Sequence, residues 1–200
     1  MSSESDRIID LYQRKAANWD ADRGRSLFEQ PWLDRFLALL PSRGSVLDLG
    51  CGSGEPIARY FIACGHCVTG VDSSPALISL CTERFPGSIW TVSDMRRLDL
   101  GRRFDGIVAW DSFFHLTPDD QRGMFPIFRD HIAERGALMF TSGPAHGVAI
   151  GSFHGEPLYH ASLDVDEYRS LLDQIGFDVV AHVVEDPACG GHTIWLAKRR

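Results

Sequence analysis

Three glycines alternate with other residues in the segment VLDLGCGSGEP, at Gly50, Gly52 and Gly54, directly after an apolar run. A tight turn needs only one or two glycines, whereas three let the backbone approach a ligand closely. The ligands that suit such a loop are a nucleotide phosphate and a nucleoside cofactor. Asp48 adds a carboxylate beside the loop, and its charge favours a ligand with an ammonium or sulfonium group over a pyrophosphate.

A second carboxylate that could bind a nucleoside is Asp72, at the end of the next predicted strand. It can accept two hydrogen bonds from the diol of a ribose. Ser74 already has the position of N-cap for the helix that follows, so capping does not require Asp72. The glycine spacing also differs from the G-x-G-x-x-G pattern of dinucleotide-binding proteins, because the third glycine comes one residue early.

The elements that must position these residues alternate between strand and helix, which predicts a parallel sheet with helices on both faces. The link at 186–192 is too short for a helical crossover, so the last two strands form an antiparallel pair. The predicted strands are 45–50, 67–71, 89–93, 104–109, 137–141, 177–185 and 193–197. The predicted helices are 5–17, 31–40, 55–64, 75–85, 118–133 and 165–175.

Composition limits the classes of function. The chain has 200 residues, 44% of them hydrophobic, which favours a single domain with one sizeable core. A net charge of -7 disfavours general binding of nucleic acid or anionic membrane. No apolar run approaches the roughly 20 residues of a membrane span. The start has no apolar signal-peptide core, so we expect a cytoplasmic protein.

The five cysteines are an odd number with scattered spacing, which does not indicate a disulfide framework. Cys64 and Cys67 match the C-x-x-C pattern, but no second pair completes a zinc site. We therefore interpret them as a reduced, structural pair and expect no metal.

Five segments, taken in order, resemble the class I S-adenosylmethionine-dependent methyltransferases, and the resemblance extends from about Leu39 to Ala197. It implies a Rossmann-like seven-stranded sheet that is mostly parallel with the last strand antiparallel. It also implies S-adenosylmethionine as cofactor and S-adenosylhomocysteine as product. The matching segments are VLDLGCGSG at 46–54, GVDSS at 70–74, SDM at 93–95, FDGIVAW at 104–110 and RGAL at 135–138.

The resemblance also assigns roles at the cofactor site. Asp94 would accept a hydrogen bond from the adenine amino group, and the Met95 N–H would meet the ring. Trp110 would lie near the cofactor's amino group, although plain core packing is an alternative for it. The cofactor-binding residues expected in the sheet core are Asp48, Gly50, Cys51, Gly52, Gly54, Asp72, Ser73, Asp94, Met95 and Trp110.

The segment 12–20 resembles the lid that covers the cofactor in this family. Tyr12 and Trp19 would close over the cofactor, and Arg14 would meet its carboxylate. The alternative is an amphipathic helix that only packs against the core. A mobile lid would also exclude solvent during the reaction.

On the acceptor side, His115 follows the fourth strand and is the candidate general base, although similar methyltransferases often carry a histidine there without a catalytic role. Phe113 and Phe114 would line the pocket or pack in the core. The segment 142–163 is long for a connection, which is typical of functional loops. Its expected acceptor-binding residues are His154, Tyr159 and His160. With His146 and Glu156 these could suggest a metal site, but their spacing fits no short helical ligand motif.

The sequence thus predicts a single methyltransferase domain over 1–200, with a helical lid at 1–40, a core at 41–200 and an acceptor-side loop at 142–163. The expected reaction is direct SN2 methyl transfer to a small-molecule acceptor, by a monomer or homodimer without nucleic acid or membrane partners. The alternative is a non-catalytic S-adenosylmethionine-binding sensor or partner subunit. A nicotinamide-linked oxidoreductase is disfavoured by the glycine spacing and by Asp48.

Overall fold

The computed structural model describes residues 4–200, so the first three residues of the predicted lid lie outside the described part. A seven-stranded sheet forms the centre of the molecule, with the order β3-β2-β1-β4-β5-β9-β8. Its strands are β1 (Ser45–Leu49), β2 (Cys67–Asp72), β3 (Ile89–Val92), β4 (Phe104–Ala109), β5 (Ile132–Ser142), β8 (Phe177–Asp186) and β9 (His192–Arg199). The predicted α/β fold class is confirmed.

The strand directions match the prediction. β1 is parallel to β2 and β4, and β4 is parallel to β5. β9 is antiparallel to both of its neighbours, β5 and β8. The chain leaves β1 towards β2 on one side and returns with β4 on the other, so the crevice beyond the carboxyl ends of β1 and β4 is where an open sheet of this type binds ligands.

Seven helices among the described residues surround the sheet, and capping side chains begin several of them. The Ser74 side chain accepts a hydrogen bond from the Leu77 amide, and Thr117 accepts one from the Asp120 amide. The helices are α1 (Glu4–Arg14), α2 (Ala16–Arg23), α3 (Gln30–Leu37), α4 (Ile57–Ala63), α5 (Pro75–Arg84), α6 (Pro118–His131) and α7 (Val165–Gln174). None of the helices within residues 4–200 is long and apolar enough to cross a membrane.

The core has one large cluster on each face of the sheet. On one face an aromatic group, with Phe113 and Tyr168 among its members, packs between the sheet, α6 and α7. On the other face Phe36 from α3 packs against Phe61 from α4, with ring centroids 5.7 Å apart. Burial of these side chains fixes the strand ends that carry the candidate site.

The segment 142–163 differs from the predicted loop. β5 continues to Ser142, and the remainder forms a separate antiparallel hairpin of β6 (Gly147–Phe153) and β7 (Glu156–Ser162). Gly155 has a φ of 79°, and this left-handed conformation closes the turn. The hairpin packs on α1 through contacts of Tyr159 with Ile8. It thereby connects the N-terminal helices to the acceptor side of the sheet.

Candidate active site

Two adjoining cavities lie beyond the carboxyl ends of β1, β2 and β4. The smaller, of about 90 Å³, is next to the ends of β2 and β3, and we call it the inner cavity. The larger, of about 530 Å³, extends towards β9 and the hairpin, and we call it the outer cleft. Five residues line both spaces, which makes them two parts of one site. These shared residues are Tyr12, Trp19, Gly50, Asp111 and His115.

The glycine loop forms the floor where the two spaces meet. Gly50 and Gly52 have φ values of 73° and 55°, which residues with a side chain rarely adopt. A Cβ atom at Gly52 would overlap the Trp19 ring, and one at Gly50 would overlap the side chain of Ser112. The loop therefore needs glycine both for its backbone conformation and for these close contacts.

Asp48 and Asp72 place two carboxylates beside this loop. Asp72 accepts hydrogen bonds from the Gly52 amide at 3.0 Å and the Ser74 amide at 2.9 Å. Removal from water raises the pKa of Asp72 to about 6. Burial, together with the charge of Asp72, raises the pKa of Asp48 to about 7. Among the described residues neither carboxylate forms an ion pair, so a bound cation would stabilise the charged form of both.

Asp94 lies at the end of β3, on the wall of the inner cavity. Its carboxylate accepts hydrogen bonds from the backbone amide of Arg96, at 3.0 Å, and from the guanidinium of the same residue. Partial burial opposes ionisation, but the hydrogen bonds from Arg96 outweigh it and lower the pKa of Asp94. The ionised carboxylate retains lone pairs for a further donor. Met95, the next residue, lines the same cavity.

Tyr12 and Trp19, from α1 and α2, cover the site. Their rings meet edge to face with centroids 6.5 Å apart, and Tyr12 also stacks on Phe153 of the hairpin at 6.0 Å. Asp20 of α2 accepts two 2.7 Å hydrogen bonds from the guanidinium of Arg84 on α5. The N-terminal helices are thus held over the site by the hairpin, through Tyr12, and by α5, through Asp20.

His115 is buried below this cover, and both of its ring nitrogens are occupied. Nδ1 lies 2.9 Å from the carbonyl oxygen of Tyr159, which can only accept a hydrogen bond, so Nδ1 carries the proton. Nε2 then accepts a hydrogen bond from the Tyr12 hydroxyl at 2.9 Å. Burial lowers the pKa of His115 to about 4, so the ring is neutral near pH 7.

A second histidine, His192 at the start of β9, faces the outer cleft. Nδ1 donates to the carbonyl oxygen of Cys189 at 2.7 Å, and Nε2 donates to the Asp111 carboxylate at 3.0 Å. Partial burial opposes the charged form, but the contact with Asp111 outweighs it and raises the pKa of His192. The ring of Trp110 lies 5.5 Å from that of His192. Asp111 itself has a φ of 49°, which aspartate tolerates better than most residues.

Comparison with known proteins identifies the family. A family model described as a methyltransferase domain matches residues 46–136. An N,N-dimethyltransferase for dTDP-4-amino-2,3,4,6-tetradeoxy-D-glucose, from Saccharopolyspora spinosa, is 30% identical over 88% of this chain and 78% of its own length. The chain belongs to the class I S-adenosylmethionine-dependent methyltransferases.

A further relative and a solved structure are also similar to this chain. A methyltransferase of Bacillus subtilis is 30% identical over 65% of the chain, which spans only 54% of the length of that protein. The S-adenosylmethionine-bound structure of the amino pentose methyltransferase CalS10, from Micromonospora echinaspora, has a TM-score of 0.72 at 21% identity. It is matched over 89% of this chain and 93% of its own. That similarity shows a shared fold.

The structure brings most of the predicted cofactor-binding residues of the methyltransferase to the two spaces. Gly54 is an exception, because it lies behind the loop against Phe85 and Cys81. Contact of the remaining residues with the cofactor stays a prediction. The predicted residues that line the site are Tyr12, Trp19, Asp48, Gly50, Cys51, Gly52, Asp72, Ser73, Asp94, Met95 and Trp110.

The structure does not place Arg14 at the cofactor site. Its exposed side chain donates two hydrogen bonds to Glu156 of the hairpin, at 2.8 and 2.7 Å, and a third to Asp10. Arg14 and Tyr12 diverge because residues two apart on a helix point in different directions. Arg23 of α2 lines the outer cleft and forms an ion pair with the buried Glu29.

Three predicted acceptor residues also lie elsewhere. Phe113 is completely buried in the aromatic core, where its ring meets those of Phe125, Phe128, Phe140 and Tyr168. Tyr159 packs its side chain under α1 and turns only its backbone carbonyl towards His115. His154 is exposed and bonds to Asp22 at 2.6 Å. Phe114 and His160 do line the outer cleft.

The sequence interpretation missed two residues that face the outer cleft, His192 and Phe153. Asp111, which directly follows Trp110, lines both spaces. No local spacing connects His192 to Asp111, because they are 81 positions apart and only the pairing of β9 with β5 brings them together. The side chains of residues 6–200 contain no group of three His, Cys, Asp or Glu residues arranged to hold a metal ion.

Proposed function

We propose that this chain transfers the methyl group of S-adenosylmethionine to a small-molecule acceptor bound in the outer cleft. The observation that carries the proposal is the pair of carboxylates, Asp48 and Asp72. They lie beside a loop whose conformation and close contacts require glycine. Both lack a cationic partner among residues 6–200, and their raised pKa values favour a ligand that brings positive charge. S-adenosylmethionine carries an ammonium and a sulfonium group.

The residues present fit the cofactor from end to end. Asp72 would accept hydrogen bonds from the ribose diol, and Asp94 with the Met95 amide would bind the adenine in the inner cavity. The backbone of Gly50 and Gly52 would approach the methionine part at the boundary with the outer cleft, where Trp19 contacts Gly52. Tyr12 and Trp19 would cover it from above. These assignments agree with the order of the same residues along the strand ends.

When bound, the cofactor supplies an electrophilic methyl group, so the protein's contribution is mainly position and shielding. The lid formed by α1 and α2 excludes water, and the walls of the outer cleft align the acceptor. Alignment of this kind can lower the barrier by about 7–11 kcal/mol. His115 does not act as the base in this arrangement, because Nδ1 and Nε2 are both used to hold Tyr159 and Tyr12.

The outer cleft suits a compact acceptor with ring and polar groups. Its walls include the rings of Trp110, Phe114 and Phe153, beside the charged pair of Asp111 and His192. The buried Nε1 of Trp110 has no hydrogen-bond partner in the described part of the chain. The relative from Saccharopolyspora spinosa and CalS10 act on amino sugars, and another relative, from Pyrenophora dematioidea, is an O-methyltransferase. We therefore propose an acceptor with an amine or hydroxyl group.

Two measurements test the proposal. Calorimetry of the folded protein should show binding of S-adenosylhomocysteine and no binding of NAD. A metabolite pool should then yield S-adenosylhomocysteine release that is absent for Asp72→Ala, with circular dichroism as the control that the variant folds. Calorimetric binding of S-adenosylhomocysteine without any turnover would favour the non-catalytic sensor. The absence of any binding heat would reject the proposal that this chain uses S-adenosylmethionine.

A further inference from the structure

Three histidines line the outer cleft, and they differ in whether their ring nitrogens are free. Both nitrogens of His115 are hydrogen-bonded, as are both nitrogens of His192. Within the described residues, no hydrogen bond is made by the ring of His160. Of the three, His160 alone can therefore exchange a proton with a molecule in the cleft without first breaking a bond inside the protein.

Packing, rather than hydrogen bonding, orients the His160 ring. It stacks on His115 with centroids 4.9 Å apart and an angle of 28°, and the edge of Phe114 meets it at 5.0 Å. His160 lies on β7 opposite Ala149 of β6, and its ring extends diagonally over Gly151. A glycine at this cross-strand position leaves room for the imidazole, which is held in place while its nitrogens stay free.

His160 also forms part of the boundary between two spaces. It lines the outer cleft, and it lines a further cavity of about 420 Å³ beside the segment 143–149. Phe114, Ser142 and Pro144 complete the shared wall. A group in this position can take a proton on one side and release it on the other, away from the reacting atoms.

The charges around His160 are suited to proton uptake. Partial burial lowers its pKa, while the nearby Asp111 carboxylate opposes that shift. The ring is therefore neutral near pH 7, and Asp111 would stabilise the imidazolium once it forms. The neutral ring of His115, on the turn after β4, stacks on His160, and His192 of β9, which is bonded to Asp111, lines the same cleft.

Building on the function proposed above, we propose that His160 is the catalytic proton acceptor for the nucleophile of the acceptor molecule. The proton of an ammonium N–H or a hydroxyl O–H group of the acceptor moves to a free nitrogen of His160, and the electron pair left on the acceptor atom forms its bond to the methyl carbon. The carbon–sulfur bond breaks with its pair on sulfur. The imidazolium then returns the proton to solvent through the neighbouring cavity. An acceptor atom without a proton, as in a carboxylate, would have no use for this residue.

The first test needs no acceptor. Diethyl pyrocarbonate modifies neutral imidazoles that have a free nitrogen, and peptide mapping by mass spectrometry reports each histidine separately. In the complex with S-adenosylhomocysteine at pH 7, His160 should react about tenfold faster than His115 and His192, since their hydrogen bonds must open first. Equal or slower modification of His160 would overturn the proposal.

The second test follows turnover with the acceptor that the metabolite screen returns. His160→Gln should lower kcat about 100-fold, leave S-adenosylhomocysteine affinity within about twofold and regain part of its rate with added imidazole. His66→Gln, which changes a histidine that does not line the site, should keep the wild-type rate. A His160→Gln enzyme with kcat near wild type would refute the role of His160. If the wild-type protein did not bind S-adenosylhomocysteine at all, the proposed function would be refuted instead.

Discussion

The hydroxyl of Tyr12 donates a 2.9 Å hydrogen bond to Nε2 of His115, and this bond joins α1 to the turn after β4. The two residues are 103 positions apart in the chain. Both line the inner cavity and the outer cleft, so the bond lies at the boundary of the two spaces. Because Nδ1 of His115 is bonded as well, the ring links α1 to both the turn after β4 and the hairpin.

Removal of that hydroxyl should weaken cofactor binding. Tyr12→Phe keeps the stacking on Phe153 but leaves buried Nε2 of His115 without a donor, at a cost of about 1 kcal/mol. Calorimetry should therefore show S-adenosylhomocysteine affinity lower by about fivefold. Tyr60→Phe is the matched control, because Tyr60 bonds to Asp34 outside the site. Equal affinities for the two variants would show that the bond does not hold the lid.

A methyl group on the glycine loop should displace the lid directly. In Gly52→Ala the alanine would have to adopt the left-handed conformation of Gly52, at a cost of roughly 1–2 kcal/mol, and its Cβ atom would be forced against Trp19. The variant should lose S-adenosylhomocysteine binding and change its tryptophan fluorescence. Gly65→Ala carries a comparable φ of 88° with open space around it, so it should lose stability but retain affinity. Wild-type binding by Gly52→Ala would contradict the role of the loop.

Arg14 gives a test that separates the sequence interpretation from the structure. If Arg14 met the carboxylate of the cofactor, Arg14→Gln would weaken binding strongly. The structure instead pairs Arg14 with Glu156, at the surface, where ion pairs contribute little. We expect S-adenosylhomocysteine affinity within about twofold of wild type. A tenfold loss, with the hairpin still folded by NMR, would return Arg14 to the cofactor site.

The carboxylate of Asp48 should make the ligand-free protein less stable as the pH rises. Its pKa in the folded state is about 7, against 3.8 for the ordinary group, so the folded protein binds more protons than the unfolded chain between these values. Stability from this group is therefore present below pH 3.8 and is lost as the pH approaches 7, on the order of 4 kcal/mol in all. Denaturant titrations should show a smaller decline between pH 5 and pH 8 for Asp48→Asn. An identical decline for variant and wild type would show that the pKa of Asp48 is not raised in the folded protein.

The pair of Asp111 and His192 predicts a loss of stability in the same direction, at a higher pH. The pKa of His192 is raised in the folded protein, so the stability that it contributes is complete below about 6.5 and is lost as the pH rises through the higher folded value. Asp111→Asn should lower the pKa of His192, and it should lower that of His160 as well, because Asp111 opposes the effect of burial there. Imidazole NMR titrations measure both. Unchanged values would mean that the carboxylate does not face these rings.

The sequence predicted the sheet and the cofactor side well because their signals are local. Strand 104–109 has the predicted bounds, and Ser74 caps the helix that was expected to follow it. The alternating glycines and the carboxylates after successive strands indicate a ligand site with no knowledge of distant contacts. Such residues are brought together by the topology alone, since parallel strands end at one edge of the sheet.

The acceptor side was predicted less well because its geometry depends on long-range packing. Glycines and Pro157 interrupt the alternation of apolar and polar residues in β6 and β7. The segment therefore has the composition of a loop, and the sequence did not predict the hairpin. Phe113 and Phe114 are neighbours, and only the direction of the short turn at Phe113–His115 sends one into the core and the other to the cleft. Arg14 finds its partner 142 positions away.

The placement of β9 between β5 and β8 has a consequence for the order in which the sheet is completed. Among the described strands β8 pairs only with β9, so it cannot join the sheet before β9 has paired with β5. The wall of the outer cleft that contains His192 is completed at the same late moment. A chain cut before β9 would lack both the strand that links β8 to the sheet and the side of the outer cleft that contains His192.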